Sequence, residues 1–208
     1  MKKICFAVTS FVLAAIMCLS LCSCSRLSDE DAVNTAASLL EKSCEINEIF
    51  YGKGIDVDEK SNEYALEALN EDVDIKVASY ADVHADYPYQ TVEELKNAAL
   101  SVYSSDYCES MFDIAFTGHK DSKTGAIVEY ARFIESEYGI LTQRVDIEDE
   151  ILYNGRTFDV DSIKIVKKTA SYVVFTVDSK IDGEPSDTIK VKMLKEEDGT
   201  WKLDTPTY

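Results

Sequence analysis

The 208-residue sequence is sparing with residues that break a chain or arm a catalytic site: three prolines, eight glycines, one tryptophan and two histidines. So little proline and glycine excludes collagen and low-complexity fibres, and 46% hydrophobic content excludes a chain too polar to collapse. Of six cysteines, Cys5, Cys18, Cys22 and Cys24 fall in the first 24 residues, leaving Cys44 and Cys108 for a folded domain. Two are too few for a disulfide framework, and neither stands at a metal-ligand spacing. A bridge between them stays open; two small apolar side chains in helical patterns are the plainer reading. Positive charge is scarce too, with 21 Lys and Arg against 39 Asp and Glu. Such a surface repels phosphates and excludes nucleic acid as a partner.

What the sequence does contain begins with an address. Lys2 and Lys3 precede an apolar stretch over 4–21, and no acidic residue occurs before Asp29. A positive start, a hydrophobic run and small residues after it make a secretory signal, to be set apart from the fold. The stretch ends Leu21-Cys22-Ser23-Cys24. This resembles the bacterial lipobox, with Leu three residues before the cysteine and a small residue just before it. The resemblance implies that Cys24 carries a thioether-linked diacylglycerol and becomes the mature N-terminus. An uncleaved membrane anchor is the competing reading, at the lower edge of spanning length. Either way Lys2 and Lys3 stay in the cytoplasm and the domain lies outside. The expected organisation is a signal over 1–23, a short lipid-attached tether over 24–28 and one domain over 29–208.

Without residues 1–23 the chain holds 19 basic and 39 acidic residues, a net charge of −20. Residues 24–155 carry nearly all of the imbalance, at 10 basic and 29 acidic. The average charge opposes contact with an anionic leaflet, so the lipid must hold the protein at the membrane.

The chain then reads as helices first and strands second. Ser28 and Asp31 suggest a capping box ahead of apolar residues at helical spacing up to Phe50, stopped by Gly52 and Gly54. A short helix is predicted over 61–70 and a strand over 75–80. Thr91-Val92-Glu93-Glu94 opens a helix that ends at Tyr103, and Ser104 and Ser105 recap a second helix over 106–116. A loop over 117–125 follows. The period then changes to two, with strands predicted over 127–134, 140–145, 158–166, 172–178, 188–195 and 201–204. Asn154-Gly155, Asp182-Gly183 and Asp198-Gly199 supply turns. The expected class is α+β: N-terminal helices packed on one face of a curved antiparallel sheet of about five or six strands. The end of the first helix at Ile49-Phe50-Tyr51-Gly52, the Thr91 to Lys96 segment leading to Val102-Tyr103-Ser104, and the closing Trp201-Lys202-Leu203-Asp204 together resemble small exported bacterial lipoproteins with a cystatin-like, nuclear-transport-factor-like roll. A fainter likeness is to exported inhibitors of cell-wall DL-endopeptidases, with no inhibitory residue to carry over. That roll hosts both enzymes and pure binders. The anchor, the one-sided charge and the absence of an activated nucleophile or metal motif point to a non-enzymatic, membrane-tethered binding module for a protein or cell-envelope ligand.

Chemistry is thinly represented, and no cofactor or metal is expected. His84 beside Asp82 or Asp86 offers an acid/base pair for a small-molecule enzyme, the competing class. The acidic runs at Asp56, Glu71 and Asp146 do not follow the spacing of a calcium loop. Tyr80, Tyr87, Tyr89, Tyr103 and Tyr107 are candidate ligand contacts, because amphipathic rings give area at low entropic cost. Lys164, Lys190, Lys192 and Lys202 recur on the outward positions of the last strands, as edge protection or as contact with an anionic partner.

Overall fold

A computed structural model of the chain describes residues 27–58, 64–67, 77–120, 127–147 and 151–208. The signal segment and Cys24 lie outside these residues. The class is α+β, with helices and antiparallel sheets.

Helix α1 (Asp29–Tyr51) begins where the sequence suggests: the Ser28 hydroxyl accepts from Asp31 N. One face buries Ala32, Ala36, Leu39, Leu40, Ile46 and Ile49. Its end is fixed by Gly52, whose N–H reaches the carbonyls of Asn47 and Glu48. Gly54 follows at φ +92°, where a Cβ would lie 2.0 Å from Gln143 Oε1. Helix α2 (Val92–Val102) opens on a full capping box: Thr91 Oγ1 accepts from Glu94 N, and Glu94 Oε2 accepts from Gln90 N and Thr91 N. Helix α3 (Ser105–Phe112) is capped by Ser104 and closes in a π-helical turn, Asp113–Thr117.

Among the described residues the strands divide between two four-stranded sheets and a two-stranded ribbon, rather than forming the single sheet expected from the sequence. In chain order, they are β1 (Tyr64–Glu67), β2 (Val77–Asp82), β3 (His119–Lys120), β4 (Ile127–Glu129), β5 (Phe133–Glu135), β6 (Leu141–Arg144), β7 (Thr157–Lys168), β8 (Tyr172–Ile181), β9 (Glu184–Lys195) and β10 (Trp201–Leu203). One sheet has the order β1-β2-β6-β5 and the other β10-β9-β8-β7; β3 and β4 form the ribbon. Both large sheets are antiparallel throughout.

Three local expectations are corrected. The described part of the segment expected as a helix over 61–70 is a strand, because the open edge of β2 offers it a ladder from Tyr64↔Tyr80 to Glu67↔Val77. The strand expected over 127–134 is broken: Arg144 Nη1 takes the carbonyl of Tyr130, and Tyr80 Oη takes that of Ala131. Those carbonyls are bonded to side chains where a neighbouring strand would otherwise bond them. Within the loop expected over 117–125, His119 and Lys120 pair with β4, and the rest lies outside the described residues.

A single main core joins the parts. Val173, Phe175, Val177, Val191 and Met193 from the long sheet meet Leu40, Ile49, Leu95 and Val102 from the helices and Phe133 and Leu141 from the short sheet. Each such large side chain contributes about 1.5–3 kcal/mol by leaving water. Tyr80 and Ala78 belong to a smaller core with Tyr130 on the far side of the short sheet.

Candidate functional site

An apolar cavity of about 160 Å³ lies where the end of α1, the π-helical turn and the chain before β7 converge. Phe50 and Tyr51 come from α1, Met111, Ile114 and Ala115 from α3 and the turn after it, and Tyr130, Arg132 and Leu152 from the later chain. Local backbone rules place each one. The π turn adds a residue to the helical winding, a departure often found at functional sites. Leu152 and Tyr153 are held against the end of α1, because both of their N–H groups bond to the Tyr51 carbonyl at 2.8 Å. Arg132 is only 8% exposed, and its guanidinium donates to Ile49 O at 2.9 Å and Gly52 O at 2.5 Å. It therefore neutralises the carbonyl end of α1, where a cation is stabilised by the helix dipole.

The rim of the cavity is unusually apolar. Ile114 is 56% exposed and Leu152 is 61% exposed. Phe50 packs edge-on to Phe116 and Phe133 behind them, at ring separations of 5.9 and 6.0 Å. On the other wall the C-terminal Tyr208 stacks on Tyr51 at 4.0 Å. Burial pushes the Tyr51 hydroxyl up to about 12, and the Tyr107 hydroxyl is likewise raised, first by burial and then by Tyr51. Both are neutral donors or acceptors at physiological pH, not bases.

Size decides what the cavity accepts. Sites for drug-sized ligands and cofactors run from about 300 Å³ upward. A space half that size admits a side chain of a partner, the anchor-in-pocket arrangement of interface hot spots.

The tyrosines singled out from the sequence separate into two groups. Tyr80 and Tyr103 are 1% and 0% exposed, so the expectation that they contact a ligand is corrected. Each is buried because its hydroxyl finds a partner inside. Tyr80 donates to Ala131 O; Tyr103 donates to Asn47 Oδ1 at 2.7 Å and lies 2.7 Å from Thr207 Oγ1. Tyr107 is half-buried and stacked on Tyr103 at 4.7 Å. Tyr87 and Tyr89 do come together, edge to face at 5.9 Å, with Tyr89 Oη donating to Glu45 Oε1. Burial, then Glu45, pushes Tyr87 up to about 12.

His84 lies next to these rings in an open depression with Asp56, Asp86, Tyr87 and Pro88. Its Nδ1 stands 3.6 Å from Asp86 Oδ1, with the two side chains 54% and 93% exposed. The pair stands open to solvent on both sides rather than enclosed in a pocket. His119 is described only as part of β3. Cys44 and Cys108 are both free thiols. Burial raises Cys44 and pushes Cys108 up to about 12, so neither is a thiolate at neutral pH.

Among the described residues no group of three His, Cys, Asp or Glu converges on a metal position, and no helix is long and apolar enough to cross a membrane. The acidic run at Glu71 and the end of that at Asp146 lie outside the described residues. Sequence reasoning missed the cavity itself. Its residues are spread from position 50 to 152, and the local signal for them is the apolar pair Ile151-Leu152 directly after the acidic run that ends at Glu150. Against known proteins, no family model, no curated protein and no solved structure matches this chain.

Proposed function

We propose that the chain is a membrane-tethered, extracytoplasmic lipoprotein that acts as a binding module for a protein ligand, anchored through Cys24. The observation that carries the binding half is the apolar cavity rimmed by the exposed Ile114 and Leu152. Large apolar side chains around a concavity mark interaction sites when they are contiguous. The anchoring half rests on the signal and lipobox residues of the sequence. The scaffold reading that accompanies it is the cystatin-like roll, supported by a 23-residue helix whose buried face joins the core of a long antiparallel meander.

A photo-crosslinking residue placed at position 114 or 152, with position 109 on exposed α3 as control, tests the binding half in intact membranes. A discrete adduct at 114 and 152 and absent at 109 supports the reading. The same adducts at all three positions, or none, overturns it.

A narrower reading, inhibition of a cell-wall DL-endopeptidase, draws on a different observation. The turn between β5 and β6 projects Tyr138, 76% exposed, and Ile140, 42% exposed, beside Glu135 and Glu137. Ser136 N bonds to Ile140 O at 2.8 Å and Gly139 N to Ser136 O at 2.9 Å, so the tip is held in one shape for entering a cleft. Loss of wall hydrolysis on adding the protein, restored by Tyr138→Ala, is the expected result; undiminished hydrolysis at micromolar protein rejects it.

A further inference from the structure

The long sheet carries a basic outer face that the average charge of the chain conceals. Directly paired residues of neighbouring antiparallel strands stand on the same face. The pairings Lys164↔Thr176 and Thr176↔Lys190 therefore put Lys164 and Lys190 in one row, two strands or about 9.6 Å apart. The next row holds Lys167, Val174 and Lys192, and the one after it Tyr172, Leu194 and Lys202. Phe175, Val191 and Met193 point the other way, into the core. Lys164, Lys167 and Lys190 are exposed, and Val166 beside them is 56% exposed.

The opposing charges are few at this end. Asp204 holds Lys192 at 2.8 Å, and Lys202 Nζ bends to the Ser101 carbonyl. In the row directly beside Lys164 and Lys190 stand Asp159 and Asp178, with Lys180 in the row beyond, and Asp161 is exposed in the β7 irregularity. Glu196, Glu197 and Asp198 belong to a groove on the helix side, with Ser105 and Asp106. Three adjoining rows thus bring together Lys164, Lys167, Lys190 and Lys192 with one neutralising carboxylate, while the Lys202 ammonium turns to the helix-side groove. The Tyr172 ring lies 5.1 Å from Lys167 Nζ and 6.0 Å from that of Lys192.

A second observation bears on how near the membrane this sheet lies. The chain enters the domain at the β7 end of the sheet, from its core-facing side: Lys168, paired with the buried Val173, donates to the Leu27 carbonyl at 2.7 Å and pairs with Asp29. From Leu27 only three residues, about 10 Å of extended chain, lead back to Cys24.

We propose that the outer face of β7–β10 lies against an anionic phospholipid leaflet, with lysine ammoniums on headgroup phosphates outweighing Glu30 and Asp31 at the tethered start of α1, where Asp29 is paired with Lys168. The proposal rests on the anchoring at Cys24 put forward above. Each lysine at an anionic surface tightens association about fivefold, within a reach of about 8 Å at physiological salt. A tether this short keeps the sheet end inside that reach, and Tyr172 is the kind of ring that resides at headgroup depth. Evenly spread, the net charge of −20 would repel the leaflet; segregated by the fold, it orients the domain.

The full-length protein, purified from membranes and reconstituted into vesicles of phosphatidylcholine alone or with phosphatidylglycerol, tests this by lysine acetylation read by mass spectrometry on floated vesicles. Acetylation of Lys164, Lys167 and Lys190 is expected to slow at least about fivefold on the anionic vesicles. Exposed Lys42 on α1 is expected to keep its rate. High salt is expected to restore the rate at all three lysines, and the double variant Lys164→Glu/Lys190→Glu the rate at Lys167, both without loss of flotation. Equal rates on the two vesicles overturn the proposal. So does slowing on neutral vesicles, which identifies a second copy, or equal slowing by dissolved poly(glycerol phosphate), which identifies a wall polymer. Protein that fails to float overturns the anchor itself, a result distinct from the acetylation rates.

Discussion

Replacing Tyr103 by Phe removes one oxygen from a buried network that ties three distant parts of the chain together. Tyr103, Asn47 and Ser43 are fully buried and Thr207 nearly so. Tyr103 Oη donates to Asn47 Oδ1, Asn47 Nδ2 donates to Thr207 Oγ1 at 2.8 Å, and Thr207 Oγ1 lies 3.1 Å from Ser43 Oγ. The variant leaves Asn47 Oδ1 without that donor where water does not reach, at a cost of about 1–3 kcal/mol. For a domain of this length a loss of about 2 kcal/mol lowers Tm by roughly 4–8 °C. Urea unfolding followed by the fluorescence of Trp201, the single tryptophan, measures it; Tyr138→Phe, at a 76% exposed ring, is the control and is expected within about 0.5 kcal/mol of wild type. The consequence extends to the cavity, because Thr207 precedes Tyr208, whose ring stacks on the cavity wall at Tyr51. A double-mutant cycle of Tyr103→Phe with Thr207→Val is expected to show coupling of about 0.5–3 kcal/mol. A Tyr103→Phe loss below about 0.5 kcal/mol, or strict additivity with Thr207→Val, refutes the network as drawn.

Gly54→Ala forces a side chain onto a residue at φ +92° and into Gln143 Oε1, which accepts from Ile55 N; a loss of about 2–4 kcal/mol in the same urea assay is expected, and wild-type stability contradicts it. Leu152→Asp, exposed at the rim, is expected to leave folding within about 0.5 kcal/mol of wild type yet abolish the adduct formed from position 114; an undiminished adduct rules the rim out. Tyr51 and Tyr103 have hydroxyls raised in the folded state by burial, so the unfolded chain gives up their protons first. Their contribution is complete below about pH 10 and is lost as pH rises past it, so the urea midpoint is expected to fall between pH 9 and 12, and a flat midpoint counts against the burial. Cys108 is expected to resist thiol reagents at pH 8 until the protein is unfolded, and rapid labelling in the native state contradicts its place in the core.

Features written in adjacent residues could be read from the sequence. The Thr91–Glu94 box, the Ser28 cap and the Gly52 stop each close through bonds spanning a few residues, and all three stand where the sequence puts them. The β7–β10 meander was legible for the same reason, since alternation and two-residue turns are local. Division into two sheets was not, because it depends on which strand finds which edge: β2 pairs with β6, some sixty residues later. The tyrosines show the limit at the level of the site. Tyr80 stands among Val77, Ala78, Ala81 and Val83 and Tyr103 follows Ala99, Leu100 and Val102, stretches more apolar than that around Tyr87 and Tyr89, and acceptors at Ala131 and Asn47 let their hydroxyls be buried. Net charge leaves the arrangement of the lysines unread, because it is a sum, while any surface meets one face.

The lipid anchor is tested most directly by the intact mass of the chain recovered from membranes. The account predicts a mass equal to residues 24–208 plus a diacylglycerol, shifted to no lipid and an uncleaved chain by Cys24→Ala. A membrane-bound or soluble wild-type chain that retains residues 1–23 and carries no acyl group contradicts it.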